Sequence, residues 1–85
     1  MYYVYLIYSK KTEIIYKGLT ETINRRLKEH NAGLVKSTKN DRPWTLVYYE
    51  AFSSKKDARR EELFLKTGQG RKRISYLLKD TLKNN

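Results

Sequence analysis

The opening stretch, MYYVYLIY, alternates with period two, placing Tyr3, Tyr5 and Ile7 on one face of a strand and Tyr2, Val4, Leu6 and Tyr8 on the other. Both faces are aromatic or branched, the residue types that suit a pleated surface packed against something else. A strand over residues 1–8 therefore needs cover on both sides, and the rest of the chain has to supply it. A polar turn at 9–12 leads into a second strand over 13–18, forming a β-hairpin. WTLVYYEAF, over 44–52, is a third strand by the same alternation.

Three helices provide the cover. In the first, with Thr20 and Thr22 as alternative N-caps, Ile23, Arg26, Leu27 and His30 share one face at about 100° per residue. Asn31-Ala32-Gly33 stops it. The second helix starts at Ser54, with Asp57 in a capping-box position, and runs to about Lys66, where Thr67-Gly68-Gln69-Gly70 ends it. The third runs from about Arg71, with Ile74, Leu77, Leu78 and Leu82 at helical spacing. The order β-β-α-β-α-α predicts an α/β fold of the α+β type, a small three-stranded antiparallel sheet flanked by three helices. We expect one domain over 1–82 and a disordered tail over 83–85.

The chain carries a formal net charge of +10, from 19 Lys+Arg against 9 Asp+Glu. A surplus of that size in so small a domain implies a polyanionic partner, and nucleic acid is the commonest because each neutralised phosphate releases counterions. An acidic membrane surface is the rival partner, but it calls for an amphipathic helix with exposed large apolar residues, which these helices do not require. There are no cysteines, so neither disulfides nor a thiolate metal site contribute. No apolar run approaches the roughly 20 residues of a membrane span, and the N-terminus does not read as a signal peptide. A cytoplasmic monomer is expected.

Two placements of charge are unusual. Arg26 and the single histidine, His30, lie on the apolar side of the first helix, where a charge costs free energy unless a cleft or partner meets it. The plainer reading is that Arg26 caps the edge of the core with its stem and keeps its head in water. On the second helix, Glu62 projects beside the Ala58–Leu65 stripe, with Glu61 flanking the other side. A carboxylate there wants a cation, either a neighbouring Lys or Arg or a divalent metal. Gly18, two residues after Tyr16, marks a close approach by a ligand or another backbone, as strand glycines often do. No His-Cys or paired-carboxylate cluster builds a tight metal site.

Tyr3-Val4-Tyr5, Tyr16-Lys17-Gly18 eleven positions on from Tyr5, NRRLKEHNAG, RPWTLVYYE and EELFLKTGQGR together resemble the GIY-YIG nuclease superfamily, especially its small stand-alone bacterial branch. The resemblance covers nearly the whole chain. It implies a phosphodiester hydrolase with one Mg²⁺ or Mn²⁺, acting on DNA with low sequence specificity in repair or recombination. The alternatives are a nucleic-acid-binding module without useful catalysis and a subunit that needs a repair-protein partner. In this reading Tyr5 and Tyr16 line the cleft, Arg26 contacts the scissile phosphate, Glu62 holds the metal, and His30 matches a histidine of several members. The resemblance also selects Glu62 over Glu61, through the Leu65-Lys66-Thr67-Gly68 that follows. A phenol is a poor base at neutral pH, so cationic surroundings or a metal-bound hydroxide must help it; the base is assigned to Tyr16, with Tyr5 orienting water or phosphate. Lys17, Lys36, Lys39, Arg42, Lys66 and Arg71 are expected against the nucleic acid. Three positions depart from the family pattern: Tyr3 stands for the first glycine, Lys17 for an apolar residue, and no residue matches a C-terminal asparagine, Ser75 being nearest.

Overall fold

The computed structural model describes residues 1–83. Its elements are β1 (Tyr2–Ser9), β2 (Ile15–Thr20), α1 (Ile23–Asn31), a 3-10 turn at Lys39–Asp41, β3 (Trp44–Phe52), α2 (Lys55–Leu65), α3 (Gly68–Leu77) and α4 (Lys79–Leu82). The sheet is antiparallel with β1 in the centre, in the order β2-β1-β3. The doubly apolar first strand thus takes the one position with neighbours on both edges and cover on both faces.

Alternation along β1 feeds two separate cores. Val4 and Leu6 pack with Ala58 and Leu65 of α2 and with Ile74 and Leu78 at α3, while Tyr5 and Ile7 pack with Trp44, Tyr16 and Leu27 of α1. The molecule is therefore three layers deep: α1, the sheet, then α2 and α3. Fully burying Leu6 or Leu65, each 0% exposed, is worth about 1.5–3 kcal/mol relative to exposure.

Local chemistry explains where the elements begin and end. Ser54 caps α2 by accepting from the Asp57 N–H, and Gly33, at φ 79°, ends α1 in the left-handed region. Two boundaries differ from the sequence reading. β2 starts at Ile15 rather than at 13, because Glu13 sits in the turn at φ 59° and donates its N–H to the Ser9 carbonyl at 2.7 Å. It also runs on to Thr20, where Leu19 and Thr20 pair with Val4 and Tyr3.

The glycines after α2 do end that helix, but they also open the next one. The Thr67 hydroxyl accepts from the Gly70 N–H at 3.1 Å as an N-cap, so α3 starts at Gly68 instead of near Arg71. Gly70 is needed for a different reason from helix breaking: a Cβ there would run into the Phe64 carbonyl. The expected third helix is also divided, with α4 following at Lys79. Of the tail expected over 83–85, Lys83 lies within reach of Asp80 at 3.8 Å, and residues 84 and 85 fall outside the described residues. No helix among the described residues is long and apolar enough to cross a membrane.

Candidate active site

The β1–β2 register sets Tyr5 opposite Gly18 and Ile7 opposite Tyr16, so both tyrosines lie on the α1 side of the sheet. Their ring centroids are 6.4 Å apart. The missing Cβ at Gly18 is what makes room, since an added one would overlap the ring and hydroxyl of Tyr5. The close approach at this glycine is thus made by a side chain, the Tyr5 phenol, and not by the ligand or backbone expected there.

Behind Tyr5 stands His30, 0% exposed at the C-terminal end of α1. Its Nε2 lies 2.8 Å from the Tyr5 hydroxyl and its Nδ1 lies 2.7 Å from Thr38 Oγ1, so both ring nitrogens are engaged. The Tyr16 ring meets the imidazole edge-on at 5.0 Å. Burial, followed by the Arg26 charge, pulls His30 below the usual histidine range and keeps the ring neutral.

Arg26, one turn before His30, is half-buried and donates to Glu29 at 2.9 Å. The Glu29 contact, with a smaller effect of the Tyr5 phenol, holds its guanidinium more firmly charged than usual against the opposing effect of burial. The plainer expectation, an arginine with its head in water, holds in part, because more than a third of the side chain is exposed. Burial pushes the Tyr5 phenol up to about 12, against the lowering effect of Arg26. Tyr16, with its ring 6.4 Å away, and Glu62, from α2, act on the Tyr5 phenol only through space.

Glu62 is buried with Ala58 and Leu65, as the helical wheel requires. Its two oxygens accept from Arg59 at 2.6 Å and Lys66 at 3.2 Å, both on its own helix. Glu61 lies elsewhere, against Glu50 of β3. A hard cation here would have one protein ligand and would have to displace Arg59 or Lys66 from it. The site offers a single carboxylate whose two partners are roughly half-exposed, and no group of three or more His, Cys, Asp or Glu occurs among the described residues.

The basic residues expected against nucleic acid fall into two groups. Lys17, Lys66 and Arg71 cluster beside Glu62; Lys17 shares the sheet face of its partner Leu6, and burial together with Arg71 and Lys66 lowers its pKa. Ser75 lines the same cleft as Lys17 and Arg71. Lys39 and Arg42 line a second cleft with Lys11 and Asn31, and Lys36 is exposed on the loop before it. Thr38 and Trp44 had no place among the residues singled out from the sequence. Thr38 belongs to a stretch that reads only as a basic loop, and Trp44 only as a strand entry.

With this geometry in view, the comparisons decide the family. The profile described as the GIY-YIG catalytic domain matches residues 1–74. The chain belongs to the GIY-YIG family. Within it, a UPF0213 protein of Staphylococcus haemolyticus is 39% identical over 77 residues, covering 89% of this chain and 93% of the relative. A UPF0213 protein of Clostridium perfringens is 39% identical over 67 residues, covering 78% of this chain and 71% of the relative. The solution NMR structure of a UPF0213 protein from Bacillus halodurans is 33% identical, with a TM-score of 0.56 over 91% of this chain and 85% of that one. This is the small stand-alone branch of the GIY-YIG family, and the tyrosine, arginine and glutamate described above sit on a GIY-YIG scaffold.

Proposed function

We propose that this chain is a divalent-metal-dependent endonuclease that hydrolyses DNA phosphodiester bonds with low sequence specificity, in repair or recombination. GIY-YIG membership supports a nuclease; the metal, the DNA substrate and the pathway are our reading. The observation that carries it is the cluster of Tyr5, Tyr16 and His30 on the α1 side of the sheet, with Arg26 one helical turn before His30. Tyr5, Tyr16 and His30, from two strands and one helix, meet there in a strongly basic chain, and Glu62 stands apart on α2 with Arg59 and Lys66.

The roles follow from the chemistry of each group. Arg26, half-exposed and fully charged, donates to the non-bridging oxygens of a phosphate as Glu29 yields its place. Glu62 would hold one Mg²⁺ or Mn²⁺, with Arg59 or Lys66 swinging aside; that ion would supply Lewis-acid stabilisation of charge on the phosphate. The Tyr5 proton is tied up beside His30, so the base falls to Tyr16, which is only half-buried. Lys17, Lys66 and Arg71 continue the cationic surface from Glu62 and bind backbone phosphates without reading bases.

The test is cleavage of branched, duplex and single-stranded DNA with Mg²⁺ or Mn²⁺ by the wild type, Glu62→Ala and Arg26→Ala. We expect wild-type cleavage that falls about 10²–10³-fold in each variant. Binding without cleavage by all three, with a steep salt dependence, would replace the enzyme with a nucleic-acid-binding module, a reading that the Arg59 and Lys66 contacts to Glu62 already make concrete.

A further inference from the structure

We propose that Thr38 is a positioning residue that polarises the buried chain Tyr5–His30–Thr38, so that the Tyr5 oxygen offers only lone pairs to an incoming group and holds the attacking water rather than the phosphate. The water-holding role rests on the nuclease reading above, whereas the polarity of the chain stands without it.

The groups at the two ends of the chain limit the direction of its hydrogen bonds. A guanidinium has only donors, so Arg26, whose charge bears on the Tyr5 phenol, cannot take its proton. Tyr5 is 2% exposed, and the acceptor next to its hydroxyl is His30 Nε2, at 2.8 Å. At the other end, the Val35 carbonyl only accepts, and the Thr38 hydroxyl points to it at 3.4 Å. That leaves Thr38 Oγ1 to accept from His30 Nδ1 at 2.7 Å. The Thr38 end therefore sets the tautomer, with the proton on Nδ1 and the lone pair on Nε2, which then accepts from the Tyr5 hydroxyl.

Thr38 can hold this position because the loop carrying it is pinned from three sides. Its N–H donates to the Val35 carbonyl at 3.1 Å, and its own carbonyl accepts from Trp44 Nε1 at 2.9 Å. Trp44 is in turn fixed at the start of β3 by Asn31, whose Oδ1 accepts from the Trp44 N–H at 2.6 Å while its Nδ2 donates to the Trp44 carbonyl at 3.0 Å. Thr38 is itself 1% exposed, so the hydroxyl that orients the imidazole is shielded from competing water.

The consequence falls on the Tyr5 oxygen. A phenol whose single proton is committed to His30 cannot donate to a phosphate oxygen, and its lone pairs would repel one. It can accept from the O–H of a water and from Arg26 together. Arg26 then takes the phosphate and Tyr5 the water, which separates two roles that two neighbouring polar groups could otherwise share.

The experiment uses the full-length chain and reads the tautomer directly, by long-range ¹H–¹⁵N correlation of the His30 imidazole. In wild type, Nδ1 is expected to be the protonated, pyrrole-like nitrogen and Nε2 the pyridine-like one. Thr38→Val should bring up the Nε2–H form, and Thr38→Ser should restore the wild-type pattern. If Thr38→Val does not fold, the wild-type and Thr38→Ser spectra still decide: Nε2–H in wild type overturns the proposal whether or not the protein cuts DNA. Where cleavage is measurable, Thr38→Val should lower kcat about 10-fold with KM unchanged, and Thr38→Ser should recover it. An unchanged kcat in a folded Thr38→Val with the altered tautomer would overturn the water-holding role.

Discussion

The two faces of β1 present opposite kinds of interior. On the α2–α3 side, Val4 and Leu6 meet Ala58, Leu65, Ile74 and Leu78, and the contacts at the centre are apolar. On the α1 side, Tyr5 and Ile7 meet Trp44 and Tyr16, with a buried histidine and threonine threaded among the rings by hydrogen bonds. One strand thus supplies stability from its even-numbered residues and chemistry from its odd-numbered ones. A small domain has little surface to bury, and this division lets it spend one whole face on polar groups that are costly to enclose. Substitutions on the two faces should therefore fail in different ways.

The largest effect on folding is expected on the apolar face. Leu65→Ala removes a side chain that is 0% exposed at the centre of that core and should cost about 2–5 kcal/mol in urea unfolding. Against a typical total of about 5–15 kcal/mol, that is enough to populate the unfolded state. DNA binding and cleavage by the fraction that remains folded should be unaltered. An intact unfolding midpoint would show that the α2–α3 face does not carry the stability, and the comparison would collapse.

Gly18→Ala should be intermediate, and it couples the two faces. The added methyl projects into the Tyr5 phenol, so either the ring or β2 has to shift, at about 1–3 kcal/mol. It should also stretch the Tyr5–His30 hydrogen bond, so the His30 ring signals should move along with the drop in unfolding midpoint. A variant as stable as wild type, with unmoved signals, would mean that the glycine serves something other than room for Tyr5.

How much of this was legible in the sequence differs between the same two faces. Period-two alternation in β1 and the wheel of α2 are local patterns, and they place Leu6, Ala58, Leu65 and Glu62 where the structure has them. The wheel of α1 likewise puts Arg26 and His30 on the inner side. Thr38 could not be read in this way. Its role depends on Trp44 and Asn31 closing a loop over the histidine, and neither contact has a periodic signature. The glycines at 68 and 70 were legible as punctuation but not in their direction, because the cap that begins α3 and the stop that ends α2 use the same four residues. The β2 boundary was lost to the positive φ of Glu13, which propensity gives no reason to expect at a glutamate.

The smallest effect, and the sharpest contrast of sign, is in the pH dependence of stability. On the α2 side, burial and the neighbouring Glu61 carboxyl raise Glu50 from 4.5 to about 7, and Tyr48 and Arg73 only partly offset this. One Glu50 oxygen is buried without a hydrogen-bond partner, so the ionised form is poorly served there. The folded state binds this proton more tightly than the unfolded chain does. Its contribution is therefore complete below 4.5 and is lost as the pH rises towards about 7. On the α1 side, His30 is held below its ordinary 6.5, so its contribution is complete above 6.5 and is lost as the pH falls. The two slopes oppose each other just below 6.5, and from there to about 7 only the Glu50 loss remains. Glu50→Gln should remove that loss, on the order of 1 kcal/mol after solvent screening, leaving a profile that rises to 6.5 and then stays flat. Urea midpoints measured from pH 4.5 to 8 check it, and parallel curves for the two proteins would show that Glu50 and Glu61 share no proton.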